Sequence, residues 1–322
     1  MWPINARSRS RLLVSIVTIA LLITACGGNL TPTATPEPPT FTLTPQSTPL
    51  PTFGGTVQSF GSDALPFQII LVPPKDSTET GAVLAQWLSD QTHRTFTIKL
   101  AASNAEILNA MCSETPTIAW ADGWTMLAVL AQDCGTVAAR TTINGATGVR
   151  ADIVVSPSAA INDVRNFRNR SFCRINAQDT ISWVLPVVAM RAGGFNPAEL
   201  RSVQDYPDSK SMLQIVANNG CVSAIPAGTL SSIKLDPPFS DATRVVSRLS
   251  TTPELPYGGL VISSAIPPDL GAQVTDLFLS NPDQLKGLVT ADSFAAANGS
   301  DFKDLTDTLQ AGGISLKALA GQ

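Results

Sequence analysis

The chain has one histidine, His93, and two tyrosines among its 322 residues. A single imidazole cannot complete the common zinc ligand sets, and no Cys-x-x-Cys pair supplies the rest, so no metal site is expected. Ser–His or Cys–His catalysis would have to run through that one residue. His93 stands in Gln91-Thr92-His93-Arg94, at the end of a predicted helix, where exposure is expected. No Gly-x-Ser-x-Gly, P-loop or dinucleotide fingerprint is present. Charge is also sparse: charged residues make up 14% and the net charge is −4, which excludes the basic footprint of a nucleic-acid binder. The reading is therefore of a protein with no catalytic residues, no cofactor, no metal and no nucleic-acid partner.

What is present begins at the N-terminus. Arg7, Arg9 and Arg11 precede an apolar run from Leu12 to Ala25, which is too short for a comfortable membrane span. The run ends in Ile23-Thr24-Ala25-Cys26-Gly27. Small residues directly before a cysteine resemble the bacterial lipobox, a signal cut just before a cysteine that is then acylated. Residues 1–25 are thus expected to be a signal peptide. Cys26 is expected to be the lipidation site, anchoring an extracytoplasmic protein to the bilayer. Residues 26–65 read as a tether. Pro32, Pro36, Pro38, Pro39, Pro45, Pro49 and Pro51 alternate with Thr, a composition that buries too little apolar surface to fold. As extended polyproline II the stretch from Leu30 to Thr52 would reach on the order of 70 Å.

Strand and helix patterns follow in alternation. Phe67 to Val72 reads as a buried strand ended by Pro73-Pro74. Val83, Leu84, Trp87 and Leu88 repeat at helical spacing. Phe96 to Leu100 is a second strand, and Ser103-Asn104-Ala105-Glu106 reads as a capping box opening a helix. Thr117 to Trp120, Asp152 to Val155, Ser171 to Ile175, Cys221 to Ile225 and Gly259 to Ser263 are further strands. Helices are expected at 124–131, 182–192, 209–218 and 267–279. This alternation predicts βαβ units on parallel sheets. Cys112, Cys134, Cys173 and Cys221 remain once Cys26 is assigned to lipid, an even number that outside the cytosol predicts two disulfides. Four cysteines allow three pairings. The strand order favours Cys112–Cys134 and Cys173–Cys221.

The order of these elements from Phe67 to Leu309 resembles the phosphate/phosphite/phosphonate-binding proteins of ABC transporters. Four stretches carry the resemblance. Ser103 and Ile107-Leu108-Asn109-Ala110, followed by Thr117-Ile118-Ala119-Trp120, look like that family's helix and strand at the cleft. Asp152-Ile153-Val154-Val155, then Ile161-Asn162-Asp163-Val164 and Phe167-Arg168-Asn169-Arg170, look like its entry to the second lobe. Asp179 to Pro186, with Gly193-Gly194-Phe195-Asn196-Pro197, resembles its ligand turn and the helix that follows. Lys210, Val216 and Asn219-Gly220-Cys221-Val222 resemble a later helix and strand.

The resemblance implies an α/β, two-lobed type II periplasmic-binding-protein fold with a hinge of two crossover strands. Lobe one would comprise 66–150 plus 251–322, and lobe two 151–250. It implies a monomeric solute-binding lipoprotein that captures a small polar or anionic solute by hinge closure and delivers it to an ABC permease. A sensory or interaction lipoprotein with the same fold and an altered site is the alternative. The family's phosphonate-holding Ser-Thr-Ser-Gly turn is here Asp179, Thr180, Ile181 and Ser182, and its His and Asp near Lys210 and Ser223 are missing.

Ligand-binding candidates are the residues at strand-to-helix junctions and helix starts, where backbone N–H groups lack partners. They are Lys75, Ser77, Ser103, Asp122, Trp124, Asp179, Thr180, Ser182, Ser209 and Lys210, with Tyr257 near the return to lobe one. Asp179 facing the cleft would oppose a phosphonate and favour a zwitterionic, cationic or neutral polar ligand.

Overall fold

The structure is a computed structural model that describes residues 60–72, 78–285 and 287–316. The signal-like segment, Cys26, the tether up to residue 59, and Lys75 and Ser77 lie outside the described residues. The chain opens with Phe67–Leu71 (β1), Thr78–Thr92 (α1), Phe96–Leu100 (β2), Asn104–Met111 (α2), Thr117–Asp122 (β3), Gly123–Ala131 (α3) and Gly135–Thr142 (β4). Gly148–Val149 (β5), Ala151–Val155 (β6) and Ser171–Arg174 (β7) follow. A π-helical turn, Thr180–Val184, then runs into Leu185–Ala192 (α4). Ser202–Asp205 (β8), Ser209–Ala217 (α5), Val222–Pro226 (β9), Ala242–Val245 (α6), Ser247–Thr251 (β10) and Leu255–Pro256 (β11) come next. Gly258–Ser263 (β12), Pro268–Ser280 (α7), Ser293–Ala296 (β13) and Lys303–Ala311 (α8) complete the order.

Two sheets organise these elements. The first has the order β13-β4-β12-β3-β1-β2 and the second β10-β6-β9-β7-β8. The sheets are mixed, not parallel as the alternation predicts. β1 runs parallel to β2 and β3, and β7 runs parallel to β8 and β9. β12 enters the first sheet antiparallel to both β3 and β4, and β6 enters the second antiparallel to β9 and β10. The cause is the route. Each of these two strands is reached directly from the other sheet and not through a helix crossing its own sheet, so nothing forces the parallel direction. Both are covered on both faces, with every residue of β6 and β12 buried, Asp152 included.

The helices bury one face each. On α1, Leu84 and Leu88 are buried at i and i+4, whereas Val83 is 64% exposed although its spacing also looked helical-apolar. They pack with Val274 and Phe278 of α7 against Phe67, Ile69 and Leu260. Each such fully buried side chain contributes roughly 1.5–3 kcal/mol relative to exposure. In the second sheet, Met212, Leu213 and Val216 of α5 pack beside Cys173 and Ile225.

Folded structure already exists before Pro66. Phe60 lies 6.5 Å, ring to ring, from Phe67, and Gly61 N–H donates to Leu65 O at 2.7 Å. His93 is exposed at the end of α1, as expected, with φ of 54°. The two disulfides are Cys112–Cys134 and Cys173–Cys221, with Cα–Cα distances of 4.8 and 5.9 Å. The first ties the residue after α2 to the residue before β4. The second joins β7 to the entry of its neighbour β9.

The chain crosses between the sheets twice, and the two crossovers lie side by side. β5 pairs antiparallel with β11, Leu255 opposite Val149 and Pro256 opposite Gly148. Thr147 Oγ1 donates to Glu254 at 2.7 Å, and Thr252 N–H donates to Ala151 O at 2.9 Å.

Candidate functional site

One wall of the site is built where β3 gives way to α3. Asp122 caps α3: its Oδ1 accepts the Thr125 N–H at 2.7 Å. Its Oδ2 accepts from Asn104 Nδ2 of α2 at 2.6 Å. Gly123 follows because nothing larger fits, since a Cβ there would lie 2.1 Å from the Pro256 carbonyl oxygen. Gly258 has φ of +149°, and a Cβ on it would lie 2.6 Å from Ala121 O. These two close approaches seat the first turn of α3 directly on the second crossover and bring Trp124 beside Tyr257.

The other wall follows β7. Asp179 caps the π-helical turn, its Oδ1 accepting the Ser182 N–H at 2.6 Å. Trp183 and Val184 N–H both donate to Asp179 O, at 3.1 and 3.0 Å, so the turn opens wider than an α-helix. Arg174, at the end of β7, is held by Asp205 at 2.7 Å and lies 4.6 Å over the Trp183 ring.

Between the walls lies a cavity of about 560 Å³. Five of the sequence candidates line it: Asp122, Trp124, Asp179, Thr180 and Tyr257. Ile181, inside the expected turn, lines it too; Asn176, Gln178 and Val149 also line it and were not foreseen, because loop amides and a lone apolar residue carry no motif. The Thr180 and Tyr257 hydroxyls and the Gln178 amide have no partner among the described residues. No Lys, Arg or His among the described residues lines the cavity.

The remaining candidates lie elsewhere. Ser182 is 1% exposed, and its hydroxyl accepts the Ile175 N–H at 2.9 Å, so it braces the turn from behind. Ser103 is exposed at the N-cap position of α2 but makes no side-chain cap. The expected capping box does not form. Glu106 turns instead to Lys99 at 2.7 Å and to the Ala102 N–H at 2.9 Å, and its carboxyl is held below the usual range first by the Lys99 hydrogen bond. Its neighbour Asn104, not Ser103, reaches the site. Ser209 and Lys210 begin α5 away from the cavity, and Lys210 pairs with Asp236 at 2.6 Å. Asp208 caps that helix, and the Ser211 N–H holds its carboxyl below the usual range. Trp120 faces away, edge-on to Phe294 with ring centroids 4.7 Å apart.

A family described as "ABC transporter, phosphonate, periplasmic substrate-binding protein" matches residues 71–305. The chain belongs to this family. It is therefore an extracytoplasmic substrate-binding component of an ABC transporter, a class that binds small solutes and works with a membrane permease. No curated protein sequence matches it. Among solved structures, a Xanthomonas citri protein bound to ATP is 13% identical, with 77% of this chain and 96% of that chain covered and a TM-score of 0.50. A binding-protein component of an ABC phosphonate transporter from Pseudomonas aeruginosa is 15% identical, covering 79% and 87%, with a TM-score of 0.42. PhnD1 from Prochlorococcus marinus, in complex with methylphosphonate, is 12% identical, covering 76% and 97%, with a TM-score of 0.42. The fold is that of the type II periplasmic binding proteins.

Proposed function

We propose that this substrate-binding protein is a lipoprotein that captures its solute in the cavity between Asp122–Trp124 and Asn176–Ile181, and that the solute is a neutral polar or cationic molecule, not a bare oxyanion. The two sheets with their helices would act as the lobes, 66–150 plus 251–322 and 151–250. They would close about the paired crossovers and present the closed form to the permease. The observation that carries the charge assignment is the pair of carboxylates, Asp122 and Asp179, on a cavity without a described cation. A carboxylate and an oxyanion about 4 Å apart repel by roughly 4 kcal/mol at a surface-like effective dielectric. Hydrogen bonds from Thr180 and Tyr257 to a charged group would return roughly 1.5–3 kcal/mol each, enough to offset the repulsion of one carboxylate but not of two. Trp124 and Tyr257 offer ring faces that favour a cationic group by roughly 0.5–2 kcal/mol. The family match is to a transporter component and lends the sensory alternative no support.

Mass spectrometry of the solute co-purifying with the protein identifies the ligand. Tryptophan fluorescence, with Trp124 in the cavity, then reads its binding. Thr180→Ala is expected to weaken that solute up to about tenfold, the loss of one hydroxyl contact. The parent is expected to bind methylphosphonate weakly or not at all, and Asp179→Ser is expected to admit it. A parent that binds methylphosphonate as tightly as Asp179→Ser overturns the charge assignment.

A further inference from the structure

A site of different chemistry lies at the other end of the second sheet, and it does not rest on the reading of the cleft. β7 and β8 run parallel with a constant offset, Ser171 opposite Ser202 and Arg174 opposite Asp205. The same offset recurs in the charged side chains along and just before these strands. Arg174 pairs with Asp205 at 2.7 Å, and Arg168 pairs with Glu199 at 2.5 Å. The third pair at this offset is Arg170 and Arg201, joined through the backbone by Arg201 N–H to Arg170 O at 2.8 Å. Here an arginine stands where its two neighbours in the pattern carry a carboxylate. Adjacent strands lie only about 4.8 Å apart, so the two residues are backbone neighbours, both exposed.

Neither cation is neutralised. Among the described residues, no carboxylate lies within 4.0 Å of Arg170 or Arg201. Arg201 donates through Nε and Nη2 to Ser171 Oγ at 3.2 and 2.9 Å, and Arg170 donates to Ala159 O at 3.2 Å. These acceptors are uncharged, so they fix both guanidinium groups without balancing them. Both arginines border a cavity of about 90 Å³, and no carboxylate lines it. The buried Ser156 and Ser171 and the side-chain amides of Asn169 and Asn219 complete its polar wall. That space exceeds what a single water needs, so it can admit a small polyatomic ion. Guanidinium groups are the side chains suited to such an ion, through their planar fork of donors.

We infer that Arg170 and Arg201, with the serines and asparagines around them, form a subsite for one small inorganic oxyanion, phosphate or sulfate. The ion would sit between two like charges and convert their repulsion into a bridge between β7 and β8. Its place at the strand starts, away from the Asp179 turn, makes it a structural or effector site distinct from solute capture.

The test is calorimetric titration of the full chain with sodium sulfate and with sodium phosphate, at ionic strength held constant with sodium chloride. Holding it constant removes general screening. One saturable site is expected, at least tenfold weaker in Arg170→Gln/Arg201→Gln. That variant, relieved of repulsion, is expected to melt no lower than the parent in low salt without oxyanion, with an unchanged near-ultraviolet circular dichroism spectrum. If the double variant does not fold, Arg170→Gln alone carries the test, because its guanidinium contacts only one backbone carbonyl. Heats equal to those of chloride overturn the inference, as does undiminished binding in the folded variant. Binding that survives in the arginine variant but is lost in Thr180→Ala puts the anion in the cleft. That outcome overturns both this inference and the charge assignment made there.

Discussion

Asp152 shows how one residue can hold the start of the second sheet. It is 2% exposed, yet it is a carboxylate in the middle of an apolar strand. Its Oδ2 accepts the Gly228 N–H at 2.9 Å and its Oδ1 the Thr251 hydroxyl at 2.5 Å. Asp152→Ala removes the shared acceptor of two donors that sit on exposed residues, where water can partly replace it, and it is expected to cost roughly 1–2 kcal/mol. Urea unfolding would read this as a lower midpoint with an unchanged slope. Gly123 acts through space and not charge. Gly123→Ala drives a methyl group into Pro256 O, and α3 must back away from the crossover. The expected cost is about 1–3 kcal/mol, together with a shift in the tryptophan emission of Trp124. Asp122 and Asp179 were legible beforehand as ligand candidates, because a carboxylate at a strand-to-helix junction is a local signal, but the capping role of Asp122 was not read. Asn104 was not, because Ser103 and Glu106 displayed the more familiar pattern, and only the position of Lys99 on β2 draws Glu106 away.

At the scale of elements, the strands and helices that bury a face were readable from spacing, and so were both cysteine pairings. Cys173 and Cys221 fall on neighbours in the second sheet, and that adjacency follows from the order of elements. Removing this bridge by Cys173→Ser/Cys221→Ser is expected to cost roughly 2–4 kcal/mol through the greater freedom of the unfolded chain. Thermal melting of the variant beside the oxidised parent measures it. The short strands β8, β10 and β13 escaped the reading. Ser202–Asp205 is Ser-Val-Gln-Asp, which has too few apolar residues to show a period, and it is a strand because β7 offers it an open edge. The direction of β6 and β12 escaped for another reason: it is decided by which sheet the chain has just left, and no local pattern records that.

For the molecule as a whole, two expectations follow from its organisation. The first concerns its attachment. Cys26→Ser is expected to release the protein from the membrane fraction or to leave its leader uncut, which fractionation and intact-mass measurement would show. A variant still cut before residue 26 and still carrying lipid would exclude Cys26 as the anchor. Firm attachment requires more than one acyl chain on that cysteine, because a single chain holds only weakly.

The second concerns load. Neither disulfide joins the first sheet to the second; Cys112–Cys134 closes 22 residues of sequence and Cys173–Cys221 closes 48. A tension applied between the two halves is therefore carried by the two crossover strands, paired as the β5–β11 ribbon, and by the packing of α8 on α4, with no disulfide as a cross-link. Pulled from its ends, the oxidised protein is expected to stop short of its full contour. Reduction would release about 75 Å and about 160 Å of further chain at roughly 3.4 Å per residue. Single-molecule extension with and without reductant would measure those two hidden lengths, and their absence would mean that the staples do not form in the exported protein.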